Sequence, residues 1–163
     1  MMILNEHLET PSRLYEYFNS RRIAGSECFD DGVDLRSAYK ALFKYNWVSE
    51  NEYPYDINNV LNNPPLELYI KALKNPYVNY FRSVVQNLYN LKYIISQQKL
   101  SIVFGARIYD TFLDYDKHTF IVPDPDFDNA TFIGYHAMIL ISYDDAMHCF
   151  GLCNSWGEEF GDK

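Results

Sequence analysis

Two apolar runs near the end of the sequence, held a few residues apart, constrain what this chain can become more than any other stretch. Residues 137–143 are rich in β-forming side chains, Asp144 and Asp145 follow, and residues 149–153 make a second run. Two such runs across turn-forming residues predict an antiparallel hairpin. A turn centred on Asp144 and Asp145 together sets His136 opposite Cys153; one centred on Asp145 sets it opposite Asn154. Either way an imidazole stands within about one residue of a carboxamide, because register slips in single-residue steps. An imidazole that takes a proton from a nucleophile needs its second ring nitrogen fixed in tautomer and direction, and a carboxamide can fix it. The stretch reads as two members of a catalytic triad, base His136 and orienter Asn154. The plainer alternative is a core hairpin with an incidental histidine. His148, alone on the second run, reads as a surface residue.

The pair His136-Ala137, with Asn154-Ser155-Trp156-Gly157 behind it and a strand, turn and strand between them, resembles the C-terminal signature of papain-like cysteine peptidases. The resemblance implies that His136 is the general base, in an ion pair with a catalytic thiolate. It implies that Asn154 orients the ring and that Trp156 shields the His–Asn hydrogen bond from water, with Ser155 and Gly157 as supporting members of the tetrad. It further implies an α+β, two-lobed fold with a helical left lobe and an antiparallel β right lobe.

Earlier stretches fall in the order that this resemblance requires. Pro11-Ser12-Arg13-Leu14-Tyr15-Glu16-Tyr17-Phe18-Asn19 is similar to a Pro-Ser-Arg-Leu-aromatic pattern in a bacterial and viral branch of the family, and Tyr53-Pro54-Tyr55 to a left-lobe turn. Read from the residues themselves, 10–19 is a helix that Thr10 can cap, with Pro11 at its first position and Leu14, Tyr15 and Phe18 as its buried stripe. After the break at Asp30-Asp31-Gly32, Leu35, Ala38, Tyr39, Leu42 and Phe43 fall on one face of a second helix. Residues 47–56 read as loop. Residues 58–76, centred on Asn62-Asn63-Pro64-Pro65, read as the crossing between lobes, with a short helix over 66–74. A strand is expected over 78–84, a third helix over 87–98 and a strand over 100–108. Between the last two, Gln98-Lys99-Leu100 replaces the Gly-x-Pro type of link that family members carry. Residues 109–113 and the Asp-Pro-rich 122–126 read as loop. The division that follows is 1–60, a remnant of a helical left lobe, and 61–163, a mainly antiparallel β lobe with one helix and the His/Asn site.

Composition narrows the partners. With 48% apolar and 17% aromatic residues there is ample material for a core, so disorder is not the default. A formal charge of −8 argues against a nucleic-acid partner. No apolar run approaches the roughly twenty residues of a membrane span, and the start shows no secretory signal. Cys28, Cys149 and Cys153 have neither zinc-ligand spacing nor a disulfide pattern, which favours a reducing, cytoplasmic setting. No metal and no cofactor is expected.

The nucleophile is the open question. A reactive thiolate is best placed at a helix N-terminus beside an imidazolium. By resemblance that helix precedes the region of Pro11-Ser12-Arg13-Leu14, inside a Gln-Gly-x-x-Gly-Ser-Cys-like stretch, and no Cys or Gln precedes Pro11 here. Gly25-Ser26-Glu27-Cys28 echoes Gly-Ser-Cys, but Phe29-Asp30-Asp31-Gly32 follows, so no helix begins at the sulfur and acidic neighbours oppose a thiolate. Cys149 and Cys153 share a parity on the second strand and read as core thiols. The nucleophile is therefore expected to be absent, and the resemblance spans roughly the last two-thirds of a papain-like domain. Leu14, Phe18, Leu35, Leu42 and Phe43 are expected to face the missing helix.

Two function classes follow. One is a cysteine peptidase by family, acting on a peptide or protein substrate through an acyl-thioenzyme, here truncated or inactive and in need of an N-terminal segment. The other is a non-catalytic peptide-binding pseudoenzyme, or one half of a split peptidase.

Overall fold

The computed structural model describes residues 9–75, 80–115, 118–157 and 160–161. They form two compact units, divided between residues 83 and 84.

The first unit is helical: α1 (Arg13–Ala24), α2 (Leu35–Tyr45), a 3-10 turn at Ile57–Asn59 and α3 (Leu66–Ala72). Helix α1 starts later than the sequence suggests. Pro11 is still extended, bridged to Ser49, so Ser12 rather than Thr10 is the cap and accepts from the Tyr15 amide at 3.2 Å. It also runs on past Asn19 to Gly25, whose left-handed φ of 77° closes it. The apolar pattern stops at Phe18 because the next residues are polar, yet they are buried and paired within the fold. Asn19 Nδ2 donates to the Tyr15 carbonyl at 2.9 Å, and Ser20 Oγ to the Glu16 carbonyl at 2.7 Å. Arg21, fully buried, donates to the carbonyls of Glu27, Phe29 and Val60.

Leu14 and Phe18 are buried, against expectation. Helix α2, capped by Asp34 at 2.9 Å from the Ser37 amide, packs on α1 through the small residues Ser37 and Ala41. The larger face is left at its margin: Leu35, Ala38, Tyr39 and Leu42 are half-buried, and Phe43 is 58% exposed. Tyr15, Val48, Leu68 and Ala72 make the core, with Tyr45, Tyr53 and Tyr69 around it. Helix α3, assigned by the division at residue 60 to the β-rich part, thus contributes to the helical core.

The second unit is α4 (Leu88–Ser96) on a three-stranded antiparallel sheet in the order β1 (Ile102–Tyr109), β2 (Phe132–Asp144), β3 (Cys149–Cys153). Asn87 caps α4, whose Ile95, with Leu91 and Ile94 beside it, meets Ile102 and Leu140. A second cluster, Ile108, Phe112 and Met138, lies farther along the sheet. Residues 80–84 are not a strand, contrary to expectation, and 78–79 fall outside the described residues. Residues 110–113, expected as loop, wind together with Asp114 into a 3-10 turn that buries Phe112.

The hairpin forms, but in neither of the registers that counting allows. Asp144 pairs with Cys149, and the connection is the four residues between them. Asp144 Oδ1 accepts from the amides of Ala146 and Met147, which moves the turn centre beyond the two aspartates. A further irregularity between Leu140 and Ser142 shifts the pairing again, and Cys153 ends opposite Ile139. Cys149 is half-buried and Cys153 exposed, so they are not core thiols; Phe150 and Leu152 fill that role from the other face. No helix among the described residues is long and apolar enough to cross a membrane.

Candidate active site

The observed register explains how His136 meets Asn154 without being its strand partner. Continuing the pairing by one residue beyond Ile139–Cys153 sets Asn154 opposite Met138, on the face that His136 shares. The two are then diagonal neighbours, close enough for their side chains to touch. His136 Nε2 and Asn154 Oδ1 are 2.6 Å apart.

The chemistry of the contact assigns the protons. Asn154 Oδ1 also accepts from the Ser155 amide at 2.8 Å, and an N–H can only point at the oxygen of the carboxamide. His136 Nε2 must therefore be the donor. The neutral ring is held as the Nε2–H tautomer, which leaves Nδ1 as the basic nitrogen. Asn154 Nδ2 is buried and has no acceptor among the described residues.

Aromatic rings form a wall beside this pair. The Trp156 ring lies 5.0 Å from that of His136, tilted by 31°. Phe112 meets Trp156 edge-on at 5.4 Å, and Phe160 meets it at 5.1 Å. Gly157, at φ 88°, turns the chain after Trp156, and its carbonyl accepts from the Phe160 amide at 3.3 Å. A side chain there would strain the left-handed backbone. Ser155 is exposed and contributes its backbone amide.

Sequence reasoning thus names His136, Asn154 and Trp156, which the structure brings together, but misses Phe112 and Phe160. No spacing marks Phe112, since its stretch has neither a helical nor a strand period.

None of the three cysteines stands at a helix N-terminus. Cys28 is exposed in the connection between α1 and α2, and Cys149 and Cys153 are on β3. His148 is exposed on the far side of the hairpin turn. No group of three or more metal-ligating side chains occurs among the described residues.

No family model matches the sequence. It is 28% identical over 165 residues to an "uncharacterized peptidase C1-like protein" of Acanthamoeba polyphaga mimivirus, covering 96% of this chain and 52% of that one. The crystal structure of xylellain, a cysteine protease from Xylella fastidiosa, matches 93% of this chain with a TM-score of 0.80 and 30% identity. That match covers 60% of xylellain. The chain therefore spans between half and two-thirds of the length of these relatives.

Proposed function

This chain is homologous to the papain-like cysteine peptidases and has part of their α+β fold, and from that premise we propose that it carries the base and orienter of a peptide-bond hydrolase. His136 Nδ1 takes the proton of a thiol, Asn154 holds the ring through Nε2, and Trp156 with Phe112 keeps water from that hydrogen bond. The thiolate attacks a peptide carbonyl, and the imidazolium returns its proton to the leaving amine. The substrate class is peptide or protein.

The observation that carries this reading is the 2.6 Å contact between His136 and Asn154, with its proton assigned to Nε2. We propose further that these 163 residues alone do not turn over substrate. The three cysteines they contain stand at no helix N-terminus, the position at which a thiol is most readily ionised.

Two measurements test both parts. Histidine ring NMR is expected to show His136 as the Nε2–H tautomer, and Asn154→Ala to release it into a mixture. A fluorogenic peptide assay on the purified chain is expected to show no hydrolysis. An Nδ1–H tautomer in the native chain would remove the base from its role. Hydrolysis abolished by Cys28→Ala would place the nucleophile within these residues after all.

A further inference from the structure

Outside the ring contacts just described, the outer face of β1 and β2 carries one feature that neither folding nor the hydrogen bond to Asn154 uses. Arg107 is the one charged side chain on β1, and the stretch of β2 paired with that strand, 132–140, has no Asp, Glu, Lys or Arg. Arg107 is exposed, and it forms no ion pair among the described residues, although the whole chain has a net charge of −8. Its cross-strand partner is Tyr135, 75% exposed, and both side chains stand on the sheet face opposite to that of the neighbouring His136.

A chain of rings starts at Tyr135. Tyr135 packs on Phe132 at 5.2 Å, Phe132 on Tyr109 at 6.0 Å, and Tyr109 on Phe127 at 5.5 Å. Of these rings Tyr109 shares with Arg107 a cleft of about 200 Å³, lined also by Thr111, Val122, Pro123 and Asp124. Its remaining wall includes Phe112, the residue that meets Trp156 beside His136. The cleft is smaller than the roughly 300–1,000 Å³ that holds a drug-sized ligand, and it suits a single side chain.

We infer that this cleft is a substrate subsite for an acidic side chain of a bound peptide, recognised by Arg107. The guanidinium presents a planar fork to a carboxylate, and Tyr109 and Phe112 stand in the same cleft. Asp124 at the rim opposes any anion, so the arginine must outweigh it. The assignment rests on His136 being the base, since that is what makes the neighbouring cleft a subsite rather than an isolated anion site.

The test is an NMR titration of the full chain with blocked hexapeptides that differ only in Glu against Gln, the variable residue being moved along the peptide. At one position the Glu peptide is expected to bind about two- to fivefold more tightly, as an exposed ion pair allows. The amides of 107–112 and the His136 ring should shift together. Arg107→Gln should abolish the difference, and Asp124→Asn should widen it. Equal affinities at every position, or a preference that survives Arg107→Gln, would overturn the inference. His136 responding alike to both peptides would keep the reading of the base while overturning the subsite. An Arg107-dependent Glu preference with a silent His136 ring would instead remove His136 from the substrate, and the subsite assignment with it.

Discussion

Replacing Glu16 by Gln should stabilise the helical unit above neutral pH and leave it nearly unchanged in acid. Glu16 Oε2 is buried and has no partner among the described residues, while Oε1 lies 3.0 Å from Ser20 Oγ. That hydroxyl has one proton, and the Glu16 carbonyl at 2.7 Å is its nearer acceptor. Ser20 can stabilise an ionised carboxylate only by sharing that single hydrogen with the carbonyl. Burial accordingly pushes the Glu16 carboxyl up to about 7, from an ordinary 4.5, and the Ser20 contact offsets this only in part.

Between these two values the unfolded chain has released a proton that the folded chain keeps, so stability falls as pH rises through that window and levels off above it. The full shift corresponds to about 3 kcal/mol, an appreciable part of the roughly 5–15 kcal/mol of a domain. Gln is neutral at every pH and its amide can donate to Ser20. Urea melts followed by circular dichroism at pH 4 and pH 8, native against Glu16→Gln, isolate the effect. Groups shifted downward, such as Asp34 and Glu50, cancel in the difference. The variant should be more stable by up to about 3 kcal/mol at pH 8 and close to native at pH 4. An identical pH slope in both proteins would refute the reasoning, as would a variant weaker than native at pH 8.

Two further outcomes follow from buried groups. Phe112→Ala should lower stability by about 3–4 kcal/mol and speed exchange of the His136 Nε2–H with water, whereas Leu140→Ala, in the other sheet cluster, should lower stability without that change; equal exchange in both would show that Phe112 does not shield the site. Arg21→Met should cost about 3 kcal/mol by leaving its three carbonyls without a donor, with hydrogen exchange quickened around residues 26–32 and 57–60, and a loss under about 1 kcal/mol would show that the guanidinium is dispensable.

How far the sequence reaches is clearest at the hairpin. Spacing alone brings His136 to within about a residue of Asn154, because two apolar runs and a turn leave little freedom. Their register could not. The irregularity between Leu140 and Ser142 and the long turn set by Asp144 are backbone events without an apolar signature. The late end of α1 was hidden for a related reason: Asn19, Ser20 and Arg21 look solvent-facing until their acceptors are seen. Phe43 shows the opposite failure, since periodicity placed it on the buried face and Ser37 and Ala41 took the centre of the contact.

The long β2 strand also divides the order of assembly. Its second half pairs with β3 across a four-residue turn, while its first half pairs with β1 across the much longer connection that carries Phe112. Short closures are entropically cheaper and form sooner than long ones. The contact of His136 with Asn154, 18 residues apart, is closed by the short turn, and of the aromatic wall Phe112 arrives with the long connection. During folding the base should thus meet its orienter in open water before Phe112 closes over them. Substitutions in the Asp144 turn should therefore slow the appearance of the pair, and substitutions at Phe112 should mainly hasten its loss.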